Sequence, residues 1–198
     1  MFFFLTTLAL AGNDAVQACF PEVDACYEGG QHTQLALNMC SHRAVRVCEG
    51  RRSEWEARLG FRGSAPAFDA AVKAYEAYRK ARCDLAASAW EGGSGQPLVY
   101  HSCWTAVDHA RVAELSRLAA PSPAAGPSFA EADAALNTTW KAQFDGTEAM
   151  RSVQKAWLAY RDAQCHWETT WKGDDLLDPC RAALTVHRTA LLAQEGEP

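Results

Sequence analysis

Histidine and cysteine are the residue types in this chain with the widest chemical range, since both ligate metals and both take part in catalysis. The chain has six histidines and eight cysteines. No serine or cysteine lies in a nucleophile motif, C-x-x-C is absent, and no closely spaced pairs of zinc ligands occur. His101, His109, His166 and His187 are candidates for acid–base chemistry, but no nucleophile motif accompanies them. The sequence therefore predicts no catalytic residue, no metal site and no cofactor.

An internal repeat connects the two halves of the chain. The eleven residues from Lys73 to Cys83 align with Lys155 to Cys165, and seven of them are identical. A second cysteine follows each segment. The match resumes further on, where Arg111 corresponds to Arg188. The chain is therefore read as two tandem copies of one unit.

The cysteines favour an exported, disulfide-bonded protein, because thiols stay reduced in the cytosol and oxidise outside it. Their positions in the repeat predict the disulfides Cys83–Cys103 and Cys165–Cys180, each of which joins two successive helices. Eight cysteines allow 105 connectivities. Among the pairings of the other four, we favour Cys26–Cys40 and Cys19–Cys48.

The chain begins with a short apolar run that is typical of a secretory signal peptide. The run covers residues 1–11 and ends in the A-x-A pattern Ala9-Leu10-Ala11. An alternative reading makes Cys19 a lipidated first residue, which would leave an odd number of cysteines. No stretch approaches the ~20 apolar residues of a membrane span. We expect a periplasmic or secreted protein without a membrane span.

Composition excludes several classes of function. Charged residues make up 22% of the chain and the hydrophobic set 48%, unlike disordered or collagen-like chains. The formal net charge is -5, so the phosphates of nucleic acids are repelled on average. We predict no nucleic-acid partner and favour a cationic protein partner.

The spacing of apolar residues predicts helices throughout. Met150, Val153, Trp157 and Tyr160 recur at three- and four-residue steps and form one apolar stripe. We predict an all-α fold of two tandem disulfide-stapled three-helix repeats, over 12–119 and 128–198, joined by a Pro/Ala/Gly linker at 120–127. The predicted helices cover about 33–60, 66–91, 97–119, 128–144, 147–171 and 178–194.

These motifs resemble a known family. The first half has Ala77-Tyr78-Arg79, Trp90-Glu91-Gly92-Gly93-Ser94 and Cys103, and the second has a longer set of hallmarks. The chain is similar to the small secreted helical module named after the LprI lysozyme inhibitor, and two copies cover nearly all of it after the signal peptide. It departs from the pattern at Lys80 and Asp108, and the second half lacks the Gly-Gly-Ser loop. The hallmarks of the second half are Asp133, Asn137, Trp157, Arg161, Asp162, Thr185 and Arg188.

We expect most hallmark residues to maintain the fold. Arg161 and Asp162 are adjacent on a helix and point in different directions, so Arg161 is predicted to pair with Asp133 instead. Arg188 is predicted to pair with an acid on a neighbouring helix. Trp157 and Tyr160 lie on the apolar stripe and are predicted core residues.

The resemblance implies inhibition of a cationic lysozyme by non-covalent binding. We place the binding residues in the loop from 91 to 101, with a secondary site in the loop at 172–175. The alternative for the first loop is a plain connector whose aromatic side chains pack inward. The alternative functions are a structural or protein-binding module of the cell envelope and, further, a hydrolase. The predicted binding residues are Glu91, Ser94, Tyr100, His101, Asp174 and Asp175.

Overall fold

The computed structural model describes residues 33–118, 126–143 and 147–195. In these ranges it contains six α-helices, one 3-10 turn at Asp174–Leu176 and no β-strand. The prediction of an all-α fold is confirmed, and the predicted helix ends lie within three residues of the observed ones. The helices are α1 (Gln34–Leu59), α2 (Ala65–Ser88), α3 (Gln96–Leu118), α4 (Phe129–Gln143), α5 (Glu148–Lys172) and α6 (Leu177–Glu195).

Side-chain caps and one glycine fix several helix ends. The Thr33 hydroxyl accepts a hydrogen bond from the Ala36 amide (3.2 Å) at the start of α1. The predicted capping box opens α4, because the Ser128 amide donates to the Glu131 carboxylate (2.8 Å) and the Glu131 amide donates to the Ser128 hydroxyl (3.3 Å). Gly173 follows α5 with φ of 109°, a conformation that disfavours any residue with a Cβ.

The six helices pack as two similar three-helix units. In the first unit α3 lies against both α1 and α2, and in the second α6 lies against both α4 and α5. The units meet where α2 packs on α5. Phe68, near the start of α2, has its ring centroid 5.0 Å from that of Trp167, near the end of α5, so these two helices are antiparallel. The two units are therefore joined through the antiparallel pair of α2 and α5.

Two disulfides fasten the helices within the units. Cys83–Cys103 joins α2 to α3, and Cys165–Cys180 joins α5 to α6. Both pairs are the predicted ones. Closing loops of this length stabilises a fold by about 3 kcal/mol in the chain-entropy model.

The hydrophobic core is continuous across the two units. Its main cluster contains Tyr75 and Tyr78 of α2 together with Trp157 and Tyr160 of α5, so the predicted core residues are confirmed. A second cluster forms around Trp167, Leu59 and Leu115. The interface between the units is thus part of the core.

Some predictions concern residues outside the described ranges. These are the signal peptide at 1–11, the lipidation alternative at Cys19 and most of the linker at 120–127. Cys40 of α1 is disulfide-bonded and Cys48 is buried. Their proposed partners Cys26 and Cys19 lie outside the described residues, so this connectivity stays a prediction. No described helix has the length and hydropathy to cross a bilayer.

Candidate binding site

The glycine-rich connection between α2 and α3 is a short, ordered turn. Gly92 has φ of 74°, and its amide donates to the Gln96 side-chain oxygen (3.3 Å). The indole of Trp90 lies close to Gly95, where an added Cβ would come within 3.3 Å of the ring. Glycine at position 95 therefore lets the Trp90 ring approach the backbone.

Two further contacts hold this turn against α1 and the rest of the first unit. The Asn38 side-chain amide donates to the Ser94 carbonyl oxygen (3.0 Å), and it accepts a hydrogen bond from Gln34 (2.9 Å). The disulfide Cys83–Cys103 brackets the connection on both sides. No local pattern points to Asn38, because its partner lies 56 residues away along the chain.

The structure separates the predicted residues of the first loop into two groups. Glu91 and Ser94 are exposed in the turn. Tyr100 and His101 are half-buried and lie within α3, since the helix begins at Gln96 with Pro97 in its first turn. Proline is tolerated there because its missing N–H has no helical partner anyway. The Tyr100 ring packs beside Trp104, with centroids 5.2 Å apart. The loop thus ends at position 95 rather than 101.

A serine and two histidines meet below the loop. Nδ1 of His101 lies 3.1 Å from the Ser41 hydroxyl oxygen, and the ring of His42 lies 5.3 Å from that of His101. The Ser41 hydroxyl also contacts the Asn38 carbonyl (2.9 Å) and is only 2% exposed. A substrate could not reach this oxygen, so the arrangement joins α1 to α3 and does not form a nucleophile with its base.

The second predicted loop lies at the opposite end of the molecule. Asp174 and Asp175 are exposed in the 3-10 turn that follows α5. The end of α5 lies beside the α1–α2 turn, where Trp167 donates to the Arg62 carbonyl oxygen (2.9 Å). The first loop contacts the start of α1 at Asn38. Since α1 rises 1.5 Å per residue, roughly 30 Å separates the two loops, and they do not form one surface.

A buried carboxylate organises the centre of the first unit. Both oxygens of Asp108 lie 2.8 Å from Nη1 of Arg79, and one accepts a hydrogen bond from the Tyr75 hydroxyl (2.6 Å). Nε of Arg52 is 3.3 Å away. Burial raises the pKa of Asp108, and the neighbouring Arg79 opposes that rise. Asp108 occupies the position that Thr185 has in the second repeat. The aspartate that departs from the family pattern there forms the ion pair with Arg79.

A second buried polar cluster connects the two units. Nη1 of Arg111 donates to Glu114 (2.9 Å), to the Tyr160 hydroxyl (2.9 Å) and to the Gln164 side-chain oxygen (2.8 Å). The Tyr160 hydroxyl in turn donates to Glu114. Sequence reasoning missed this cluster, although the correspondence of Arg111 with Arg188 was a signal that the position matters.

The motif residues of the second unit also bind within the fold. Nη1 of Arg161 lies 3.7 Å from Asp133, as predicted. Its Nη2 also lies 3.0 Å from Asp162, so the expectation that these neighbours do not pair is wrong. The long arginine side chain folds back to the next residue. Asn137 donates to Asp133 (3.0 Å), and the Arg161 guanidinium carbon lies 5.4 Å from the Trp157 ring centroid.

The last two motif residues are buried in α6. Thr185 and Arg188 are at most 3% exposed. Nη1 of Arg188 donates to the hydroxyl of Tyr78 on α2 (3.3 Å), a partner that we did not predict, and its pairing with an acid stays a prediction. These side chains support the interface between the units and are not available to a partner.

Fold and surface together define a class of protein. The chain is a duplicated, disulfide-bonded helical protein, and its described residues hold no cluster of three or more potential metal ligands. A family model described as "Lysozyme inhibitor LprI" matches residues 26–115 and 119–192. The chain therefore belongs to this lysozyme-inhibitor family. The two matched segments agree with tandem copies. No curated protein and no solved structure gives a significant match.

Family and disulfides agree on where the protein acts. Disulfides persist outside the reducing cytosol, and a lysozyme inhibitor meets its target there. Both observations point to an extracellular or periplasmic location.

Proposed function

We propose that this protein inhibits a lysozyme without covalent chemistry, by inserting the turn between α2 and α3 into the substrate cleft. The observation that carries the proposal is the side chain of Trp90, which is 54% exposed next to the ordered turn. Exposed aromatic side chains on a rigid support are typical anchors of protein interfaces. Glu91 and Ser94 share this surface.

The order of the turn supports tight binding. The contacts of Gly92, Gly95 and Asn38 hold the turn in one conformation before any partner arrives. A loop that is already ordered loses less conformational entropy on binding. When the Ser94 hydroxyl donates to a carboxylate of the cleft, the turn therefore loses no further conformational entropy.

Charge complementarity supports a cationic target. The protein carries a formal net charge of -5, and opposite charges accelerate the encounter of two proteins. Glu91 lies beside the turn and would steer a cationic enzyme towards it. Asp174 and Asp175 lie at the far end and would contribute only through the overall field.

The structure offers a matched pair of variants for a test. Trp90→Ala removes the proposed anchor, and Phe61→Ala removes a still more exposed aromatic side chain (76%) from the other end of the first unit. We expect Trp90→Ala to weaken inhibition by about tenfold or more, the loss typical of an interface anchor. Phe61→Ala should inhibit like the unaltered protein. Clearing of a bacterial suspension by lysozyme measures inhibition, and circular dichroism verifies folding.

Other outcomes would redirect the proposal. Equal inhibition by both variants would move the site away from the turn, with Asp174→Asn and Asp175→Asn as the next substitutions to compare. A complete lack of inhibition by the unaltered protein at micromolar excess would favour the envelope-module alternative. Clearing without lysozyme would revive the hydrolase alternative.

A further inference from the structure

The start of α1 carries two exposed apolar side chains beside the glycine-rich turn. Leu35 is 71% exposed and Met39 is 65% exposed. They are four positions apart, so they lie on one face of the helix. Five large apolar side chains are exposed in the described ranges, and these two share one end of the molecule with a third, that of Trp90. Exposed apolar side chains that cluster mark an interaction site, whereas single ones do not.

Hydrogen bonding and close packing join the start of α1 to the turn. The Asn38 side-chain amide donates to the Ser94 carbonyl oxygen (3.0 Å). The Gln34 side chain and the Trp90 ring both approach Gly95, where an added Cβ would lie 3.9 Å from Oε1 of the first and 3.3 Å from the second. The two exposed apolar residues each follow one of these α1 residues by one position, which is about 100° further around the helix. They therefore flank the contact and extend the surface of the turn onto α1.

The turn alone is too small for a stable protein interface. Helix α2 ends at Ser88 and α3 begins at Gln96, so the turn offers only the few residues between them. A stable interface buries about 800 Å² on each partner and takes about 20–30 residues a side. A protein that binds the turn must therefore contact a neighbouring element as well. Of the helices around the turn, α1 is the one that presents exposed large apolar side chains in the described ranges.

We propose that the first two turns of α1 form a second part of the lysozyme-binding surface, in which Leu35 and Met39 pack on the apolar rim of the substrate cleft. This inference rests on the function proposed above. Ligand clefts are lined mainly by apolar and aromatic side chains, which is the chemistry that these two side chains fit. The surface ends within these two turns, because Arg43 and Arg46 are exposed further along α1 and would repel a cationic enzyme.

The experiment measures the association and dissociation rates of the full chain with a purified cationic lysozyme by surface plasmon resonance. Leu35→Ala combined with Met39→Ala removes the proposed contact. Phe61→Ala combined with Val186→Ala is the matched control, since it removes the other two exposed apolar side chains. We expect dissociation to be about tenfold faster in the first double variant, with association unchanged, because lost apolar contacts act mainly on dissociation. The control should match the unaltered protein in both rates.

The outcomes separate this inference from the proposed function. Faster dissociation of Trp90→Ala, together with unchanged dissociation of the Leu35→Ala, Met39→Ala variant, would overturn the α1 surface and leave the proposed function in place. An absence of binding by the unaltered protein would overturn both.

Two further measurements test other occupants of the α1 surface. Urea unfolding of the same double variant should match that of the unaltered protein, and a lower midpoint would mean that these side chains pack on the chain itself. Size-exclusion chromatography should show the same oligomeric state for both proteins. A dimer that the substitutions convert to a monomer would assign the surface to a second copy. Either result would overturn the proposal.

Discussion

At the scale of single residues, Asp108 shows how a buried charge can specify one arrangement of helices. It is fully buried on α3, and it contacts Arg79 and Tyr75 of α2 as well as Arg52 of α1. Removing one partner of a buried ion pair leaves a buried charge without compensation. The free-energy cost of that charge is larger than the net stabilisation that the intact pair provides. The three helices of the first unit therefore depend on this carboxylate.

We expect Asp108→Ala to lower the free energy of unfolding by about 3–5 kcal/mol, because Arg79 loses its buried partner and Arg52 keeps only Glu56. Asp84→Ala provides the control, since it removes the partner of Lys80 in an exposed ion pair (2.5 Å) on the same unit. Exposed pairs contribute about 0–1 kcal/mol. Urea unfolding followed by circular dichroism measures both. Similar losses in the two variants would contradict the role given to Asp108.

His101 connects the stability of the α1–α3 contact to pH. Burial lowers its pKa, and the nearby His42 lowers it further, while the Asn38 carbonyl opposes the shift. The unfolded chain therefore binds a proton at His101 more readily than the folded chain does. The contribution of His101 to the free energy of unfolding is fully present above the pKa of histidine in the unfolded chain, about 6.5. This contribution decreases as the pH drops below that value.

The expected result is a decrease in unfolding free energy between pH 7 and pH 5 that is smaller in His101→Gln than in the unaltered protein. Glutamine does not titrate in this range and can still hydrogen-bond to Ser41. His166→Gln, at an exposed position of α5, should keep the full decrease. Urea titrations at several pH values give the slopes. Identical slopes in all three proteins would exclude His101 as the source.

At the scale of elements, local signals determined what the sequence could predict. The capping box at Ser128 and the apolar stripe of α5 act within one or two helical turns, and both predictions are confirmed. The helix predicted to begin at about 97 is confirmed, whereas the binding loop that we extended to 101 ends at 95, because Tyr100 and His101 lie within that helix. The polar clusters around Asp108 and Arg111 join different helices through residues 29 to 56 positions apart, a separation that no local pattern reveals.

Two glycines of the first unit should respond to alanine in opposite ways. Gly50 lies in the interior of α1, and an added Cβ would meet no atom within 4 Å. We expect Gly50→Ala to stabilise the protein by about 1 kcal/mol through helix propensity. Gly63 has φ of 76°, and a Cβ there would lie 2.2 Å from the Thr170 hydroxyl oxygen. Gly63→Ala should therefore destabilise, since both the strain and the clash oppose it.

Thermal unfolding of the two alanine variants compares these effects directly. The melting temperature should rise for Gly50→Ala and fall for Gly63→Ala relative to the unaltered protein. A lower melting temperature for Gly50→Ala would mean that α1 needs the irregularity that a glycine permits.

At the scale of the whole molecule, duplication has produced one folding unit with two distinct ends. The interface of α2 with α5 buries side chains of both repeats. Arg111 of the first repeat donates hydrogen bonds to Tyr160 and Gln164 of the second. The repeats have diverged at their loops, since only the first has the ordered glycine turn. The shared interface maintains the fold, and the first turn is the surface that we propose for binding.

This interface predicts that a single repeat is not stable alone. Separated as residues 128–198, the second repeat exposes Tyr160 and Trp167, which pack against Tyr78 and Phe68 of the first. Exposing each large side chain removes about 1.5–3 kcal/mol of hydrophobic stabilisation. The free energy of unfolding of a typical domain is only about 5–15 kcal/mol. We expect the fragment to lack a cooperative urea transition and to regain one when it is mixed with residues 12–119. A fragment that unfolds alone with the midpoint and slope of the full chain would show that the two repeats fold independently.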